Sequence, residues 1–224
     1  MSIIYPCPKL RLLMFATALV VSAPAGLAQA LGISFFASGP DAAAITPSVE
    51  AFRSDLGNLN PNVPGSFGTG RREINWDAVP AAFSAPNLLP NNFFNVNSPR
   101  GAVFSTPGTG VEVSANAADG PVRFGNIDPN YPSLFQVFSP QKLFTAINSN
   151  IVDVSFFIPG SSVAALTRGF GAVFTHVELL DTTSLTFFGL NNQSLGTFFV
   201  PSVLGDQTFS FLAPIIRESR RLAM

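Results

Sequence analysis

The sequence predicts an all-β protein, an antiparallel β-sandwich with a short N-terminal helix. Short apolar runs rich in Val, Ile, Thr and Phe alternate with turns rich in Gly, Pro and Asn, as they do in sandwich folds. Ser184 to Phe188 and Leu195 to Val200 flank a polar turn with Gly and Asn, which is typical of a β-hairpin. The runs do not alternate with helical patterns, so we do not expect βαβ units.

Residues 1–30 have the three parts of a secretory signal peptide. Lys9 and Arg11 make the start positive, residues 12–21 are apolar, and Ala28 to Ala30 form a small-x-small cleavage site. An uncleaved anchor is the alternative, but the apolar run is shorter than the ~20 residues that span a membrane. We therefore expect a secreted or periplasmic protein with no membrane span after cleavage.

The composition bounds the function of the cleaved protein. Cleavage removes Cys7, the only cysteine, so no disulfide is expected. The remainder carries ten basic and thirteen acidic side chains, and this net charge of −3 argues against nucleic-acid or anionic-membrane partners. Only 11 % of the residues are charged and a single one is His, so clustered titratable groups are scarce. The first hypothesis is a non-enzymatic secreted β-sandwich with a structural or surface-interaction role.

Residues 31–70 are expected to form an N-terminal extension with a short helix and a linker. Thr46 is a candidate N-cap, so the helix is predicted over Pro47 to Leu56, with Gly57 as its C-cap. The apolar side chains that share one face of this helix are Val49, Phe52 and Leu56. Asn58 to Gly70 is rich in Gly, Pro and Asn and is predicted to be a loop.

Residues 71–212 are expected to form the sandwich domain. The strand candidates before the hairpin are Glu73 to Val79, Ala102 to Ser105, Val111 to Ala115, Val122 to Ile127, Phe135 to Phe138, Leu143 to Ile147, Ile151 to Ile158 and Phe170 to Glu178. Thr208 to Leu212 is the strand candidate after it. Residues 213–224 contain three arginines and break the pattern of strands and turns, so they are interpreted as an off-pattern C-terminal tail.

Three stretches carry a family resemblance: Gly70 to Pro80 (GRREINWDAVP), Asn92 to Ser114, and Ile151 to Val200. With FGAVF at Phe170 to Phe174 and the hairpin at Thr183 to Pro201, they resemble uncharacterised secreted bacterial proteins. Those proteins have a jelly-roll-like sandwich similar to carbohydrate-binding modules, and some carry PEP-CTERM sorting tails. The resemblance implies a jelly-roll-like fold and assigns no catalytic residue.

The chain departs from the resembled pattern at its end. Such domains continue past a strand like TFSFLAP (Thr208 to Pro214) into a further strand pair, whereas this chain soon stops. The departure predicts a truncated or frameshifted C-terminus and a sandwich that lacks its final strands. A missing strand would leave a sheet edge open to pairing.

The second function hypothesis is a carbohydrate-binding module, for which the resembled fold is the reason. Sugar-binding platforms use Trp and Tyr, and Trp76 and Tyr131 are the stacking candidates. The implied partners are polysaccharides or cell-surface components. A buried Trp76 would count against this hypothesis.

Glu73, Asn75 and Asp77 place oxygen atoms along the first predicted strand. Calcium binds six to eight such oxygens, so a structural Ca²⁺ on Asp77, with Glu73 as the second choice, is the one cofactor considered. The alternative is a solvated strand edge, because no Asp-x-Asp-x-Asp run is present. Without calcium, no cofactor is expected.

His176 is the sole histidine and the basis of a third hypothesis, a hydrolase. Asp153, Glu178 and Asp181 are acids that would complete a triad, but no Gly-x-Ser-x-Gly elbow is present. The favoured interpretation is a surface histidine on a strand. Ser139 to Lys142 matches Ser-x-x-Lys without the partner motifs of that enzyme class and is treated as chance. Arg71 and Arg72 are interpreted as a solvated pair, with a phosphate clamp or a protease site as the alternatives.

Overall fold

The computed structural model describes residues 33–219 and 221–224 of the chain. The predicted signal peptide, residues 1–30, lies outside the described residues. Antiparallel strands dominate and about 15 % of the structure is helical, so the predicted all-β class is confirmed. The jelly-roll connectivity stays a prediction.

The described part of the chain contains three α-helices and twelve strands. The helices are α1 (Ala42–Leu56), α2 (Phe93–Val96) and α3 (Tyr131–Leu134), and single 3-10 turns lie at Trp76–Ala78 and Ala81–Phe83. The strands are β1 (Ser34–Gly39), β2 (Leu88–Leu89), β3 (Ala102–Ser105), β4 (Gly110–Val113), β5 (Phe144–Ile147), β6 (Asp153–Phe156), β7 (Thr167–Gly169), β8 (Ala172–Thr175), β9 (Ser184–Phe188), β10 (Ser194–Phe199), β11 (Phe209–Ser219) and β12 (Arg221–Ala223). Of these helices, none has the length and apolarity that crossing a membrane requires.

Within the described residues the strands form three antiparallel sheets. The first is built on β11, which pairs with β1 along one edge, from Ser34 opposite Pro214 to Gly39 opposite Phe209. The other edge of β11 pairs with β8 and then with β7. The second sheet has the order β10-β9-β12-β6-β3, and the third has the order β2-β4-β5.

All three sheets contribute to the larger of two hydrophobic cores. Leu212 of β11, Phe104 of β3 and Val111 of β4 are buried in it, together with Leu222 of β12. The many phenylalanines meet mostly edge to face, as with Phe93 and Phe94, whose ring centroids are 5.0 Å apart. The Phe-rich composition therefore fills a dry interior.

Helix α1 covers the first sheet and makes the smaller core. Ile45, Val49 and Phe52 are buried against Phe209 and Phe211 of β11. Burial of each such side chain is worth about 1.5–3 kcal/mol relative to exposure. Within the predicted N-terminal extension, α1 and β1 therefore pack on and pair with β11 of the first sheet.

The helix ends at the predicted residue but begins five residues before the predicted one. Gly57 closes it at φ 94, and its N–H donates to the carbonyl of Arg53 at 3.2 Å. The N-cap is Asp41, whose side chain accepts a hydrogen bond from the Ala44 N–H at 3.0 Å, so the predicted start at Pro47 is wrong. Pro47 lies inside the helix, on its exposed side.

The residues interpreted as an off-pattern tail belong to two sheets. Residues 213–219 continue β11, and β12 lies between β6 and β9, where Leu222 is fully buried. Arg221 pairs with Asp153 of β6 and stacks on the Phe188 ring of β9, 4.1 Å from its centroid. The guanidinium of Arg221 thus bonds within the second sheet, in a segment that the sequence did not identify as a strand.

The predicted strand Glu73 to Val79 is wrong, since no strand includes it. The side chain of Asn75 accepts a hydrogen bond from the N–H of Asp77 at 3.1 Å, and the chain turns into the 3-10 turn. Asn favours such local bonds over sheet pairing.

Two more predicted strands, Val122 to Ile127 and Phe135 to Phe138, are absent from the described residues. Phe124 has φ 64 in the left-handed region, which starts a turn and not a strand. The remaining strand candidates all overlap observed strands, and the predicted hairpin is confirmed, with Thr186 opposite Thr197.

Candidate functional site

A cleft of about 620 Å³ opens between α1, residues 71–77 and the strands β5, β8 and β11. We call it the aromatic cleft. Its apolar wall includes the rings of Trp76, Phe104, Phe138, Phe144, Phe170 and Phe174. Its polar side chains include Asn75, Asp77, Gln136 and Lys142, with Arg53, Arg71, Arg72 and Glu73 on one side. Ligand sites of proteins have this size and this mixture of rings and few polar groups.

Residues 71–77 form one wall of the cleft. Backbone hydrogen bonds fix the position of the first of them, Arg71. Arg71 makes an isolated parallel bridge with Leu59. The N–H of Asn60 donates to the carbonyl of Arg71 at 2.8 Å, and the Arg71 N–H donates to the carbonyl of Asn58 at 2.9 Å. The wall therefore starts from a fixed point although no regular strand runs through it.

Trp76 is half-buried and its ring is held by phenylalanines. It stacks on Phe144 with centroids 4.1 Å apart and an angle of 18°, while Phe94 and Phe104 meet it edge to face. One face of the indole is thus covered by Phe144. The ring lines the aromatic cleft, and its role as a stacking platform stays a prediction.

Glu73 is committed to arginines. Its Oε2 accepts from Arg53 at 2.9 Å and its Oε1 from Arg71 at 2.7 Å. Burial raises the pKa of Glu73, but the hydrogen bonds and charges of these two arginines outweigh it and hold the pKa below its usual value. A Ca²⁺ on Glu73 would meet two guanidinium groups, so the geometry does not favour the calcium prediction there.

Asp77 organises a loop. Its Oδ1 accepts hydrogen bonds from Ser139 Oγ at 3.1 Å, from the Gln141 N–H at 3.1 Å and from the Lys142 N–H at 2.9 Å. Among the described residues, Asp77 and Glu73 belong to no group of three metal-ligating side chains. Calcium at Asp77 stays a prediction.

Lys142 is a buried lysine that the sequence noted only as part of the Ser-x-x-Lys match. Its side chain is among the largest fully buried ones, and Nζ donates to the carbonyl of Val79 at 2.5 Å and to Ser84 Oγ at 2.7 Å. Burial lowers its pKa, against the opposing charges of Asp119 and Asp77. Ser139, the serine of the Ser-x-x-Lys match, bonds to Asp77 and not to Lys142.

Arg72 joins the cleft wall to the neighbouring loops and is not the solvated residue expected. Its guanidinium donates to four backbone carbonyls, those of Pro61, Val63, Gly65 and Pro99. Arg100 similarly donates to the carbonyl of Glu73. Burial lowers the pKa of both Arg72 and Arg100 and is the largest cause of the shift in each. The basic side chains on this wall act as cross-links.

Tyr131 and His176 lie outside the residues that line the cleft. Tyr131 begins α3, where its ring packs on Phe135 with centroids 4.9 Å apart. The cleft thus brings together Trp76, Asp77 and Glu73 of the predicted site residues, and leaves Tyr131 aside.

His176 follows β8 and faces two carboxylates. Its Nε2 lies 3.9 Å from Glu178 Oε2, and its Nδ1 lies 3.8 Å from Asp206 Oδ1. Both distances exceed the 2.7–3.2 Å of an N–H···O hydrogen bond, so no base–orienter bond of a triad is formed. Asp153, another acid considered for that triad, pairs with Arg221.

The sequence missed the residues that complete the cleft, such as Gln136, Phe138 and Phe174. They come from separate parts of the chain and share no motif or spacing. Only the high Phe content hinted at an aromatic interior.

Comparison of the chain with protein-family models, curated proteins and solved structures gave no match. The resemblance to secreted jelly-roll-like proteins is therefore a prediction, and the proposals below rest on the geometry of this chain.

Proposed function

We propose that the protein is an exported, non-enzymatic binding module and that its aromatic cleft takes an uncharged segment of a polysaccharide. The observation that carries the proposal is the wall on which Trp76, stacked on Phe144, lies beside the polar groups of Asn75 and Gln136. Sugars present apolar ring faces and hydroxyl edges, which suit aromatic walls with a few polar side chains.

The bonding of the charged groups supports an uncharged ligand. Arg53 and Arg71 are paired with Glu73, and Arg72 is bonded to carbonyls. An anionic ligand would have to compete with these bonds for the guanidinium groups. Sugar hydroxyls need only the hydrogen-bonding capacity that the same polar atoms have left.

The same bonding supports a non-enzymatic role. A glycoside hydrolase needs a carboxylic acid that stays protonated and a second carboxylate nearby. Glu73 has a lowered pKa and both oxygens in ion pairs, and Asp77 Oδ1 accepts three hydrogen bonds. Export rests on the signal-peptide pattern of residues 1–30.

Trp76 allows a direct test because it is the only tryptophan in the chain. A glycan array would select ligands, and titration of the tag-free full chain would then be followed by tryptophan fluorescence. We expect a saturable change in emission with the selected polysaccharide. An empty array, or binding that leaves Trp76 emission unchanged, would overturn the proposal.

A matched pair of variants locates the binding. Gln136 lines the cleft, while Gln141 is exposed and outside the lining. Gln136→Ala should weaken binding about tenfold through loss of a ligand hydrogen bond. Gln141→Ala should leave it unchanged, and equal effects of the two substitutions would place the ligand elsewhere.

A further inference from the structure

Beyond the aromatic cleft, one group of side chains has the geometry of a metal site: His176, Glu178 and Asp206, which we call the histidine cluster. One ligand atom from each of the three lies within 4.8 Å of the other two. The described residues contain no second group of three such side chains. We propose that the histidine cluster binds a divalent transition-metal ion of the Zn²⁺ class.

The ring of His176 indicates that an ion binds between the ring and the carboxylates. Nδ1 is buried and finds no hydrogen-bond partner among the described residues, although buried polar atoms nearly always have one. Asp206 Oδ1 lies 3.8 Å from Nδ1, and Glu178 Oε2 lies 3.9 Å from Nε2. Both gaps are too long for hydrogen bonds. One ion binds one nitrogen of an imidazole, and Nδ1, the unpartnered nitrogen, faces Asp206 across a gap wide enough for an ion that both groups bind at about 2.0–2.2 Å. Glu178 completes the set, because one ligand atom from each of the three side chains lies within 4.8 Å of the other two.

Backbone bonds hold the segments that carry the three ligands side by side. The N–H of His176 donates to the carbonyl of Thr208 at 3.1 Å, and the N–H of Val203 donates to the carbonyl of Val177 at 2.8 Å. Glu178 Oε1 accepts from the N–H of Gly205 at 3.0 Å, which leaves Oε2 directed at the ring. These bonds therefore place Glu178 beside the ring of His176, and bring the segment that carries Asp206 next to them, before any ion arrives.

The chemistry of the donors selects the kind of ion. One imidazole and two carboxylates suit Zn²⁺ and neighbouring transition ions, which bind nitrogen and oxygen together. Calcium prefers six to eight oxygens and gains little from an imidazole. Asp206 is the exposed member of the cluster, so it can move to close the site around the ion while His176 and Glu178 stay in place.

The test is a calorimetric titration of the tag-free full chain with ZnCl₂. We expect one ion per chain. His176→Asn keeps a residue that tolerates the left-handed backbone (φ 59), and it should weaken binding at least tenfold. Asp206→Asn and Glu178→Gln should each also weaken it about tenfold, while Asp119→Asn removes an equal charge elsewhere and should change nothing.

A spectroscopic readout separates this site from other places where zinc could bind. His176 is the only histidine, so a chain labelled with ¹⁵N-histidine gives the signals of one imidazole. We expect Zn²⁺ to shift one ring nitrogen strongly, in step with the calorimetric titration. Zinc binding that leaves both nitrogens unmoved, absence of saturable binding, or undiminished binding by His176→Asn would overturn the proposal.

Discussion

The aromatic cleft and the histidine cluster use their polar side chains in opposite ways. At the cleft, Glu73 and Lys142 satisfy their polar atoms with partners from the chain itself. At the histidine cluster, Nδ1 of His176 is buried and has no hydrogen-bond partner in the part of the chain that the structure describes, and two carboxylates stop short of hydrogen-bond distance from the ring. Internal hydrogen bonds and ion pairs fix the shape of the cleft, whereas the histidine cluster leaves its ligand atoms available to a metal ion. Substitutions should therefore cost stability at the first and little at the second.

The largest effect is expected for Lys142→Met. Methionine keeps the apolar stem but leaves the Val79 carbonyl and Ser84 Oγ without their donor. Because unsatisfied buried groups are costly, the free energy of unfolding should fall by about 2–3 kcal/mol, measured by urea denaturation. A loss below about 0.5 kcal/mol would show that the bonds of Lys142 do not hold the wall of the cleft.

The next effect is expected for Arg72→Met, which removes hydrogen bonds to four loop carbonyls. The free energy of unfolding should fall by about 1–2 kcal/mol, and residues 58–70 should be cut faster by proteases. Arg168→Met is the control, because that arginine is exposed and its ion pair with Asp55 lies at the surface, so its loss should cost about 0.5 kcal/mol or less. Equal losses in the two variants would contradict a cross-linking role for Arg72.

A smaller effect, dependent on pH, is expected for Glu73→Gln. Its partners, Arg71 and Arg53, hold the pKa of Glu73 low in the folded state. The ion pairs therefore stabilise fully above the unfolded-state pKa of about 4.3, and this stability is lost as pH falls from there through the lower folded-state pKa. The melting temperature of Glu73→Gln should lie below wild type at pH 7, and the gap should narrow below about pH 4. A gap of constant size would contradict the prediction.

The smallest effect is expected for Asp206→Asn in buffer with EDTA. The substitution removes a carboxylate near that of Glu178 and breaks no hydrogen bond of the described residues. The free energy of unfolding should change by about 0.5 kcal/mol or less, in either direction. A loss of 1 kcal/mol or more in urea denaturation would show that Asp206 has a structural role.

The sequence predicted what depends on neighbouring residues. Strand patterns with a Gly- and Asn-containing turn predicted the hairpin of β9 and β10, and Gly57 predicted the end of α1. The sequence-based prediction failed where a side-chain hydrogen bond to a nearby backbone group competes with the pattern of apolar and polar residues. Asn75 turns the chain within an alternating run, and Asp41 starts α1 before the proline that suggested a later start.

The sites needed the fold, because their residues are distant in sequence. Trp76 and Asp77 were singled out and both line the cleft, while Gln136 carried no signal and Lys142 was noted only in a Ser-x-x-Lys match that lacks its partner motifs. His176 and Glu178 were noted together, but the sequence offered no reason to add Asp206, which arrives through the bonds between residues 203–208 and 176–178. Contacts between residues so distant in the chain produce no periodic pattern in the sequence.

The contrast between the two regions is tested most directly by thermal unfolding of wild type and His176→Asn, each with EDTA and with excess Zn²⁺. With EDTA the two melting temperatures should agree within about 2 °C. With Zn²⁺ at a hundred times its dissociation constant, wild type should gain about 5–10 °C and the variant almost nothing. A variant that is already destabilised with EDTA, or a wild type that Zn²⁺ does not stabilise, would contradict the assignment of the histidine cluster as a metal site.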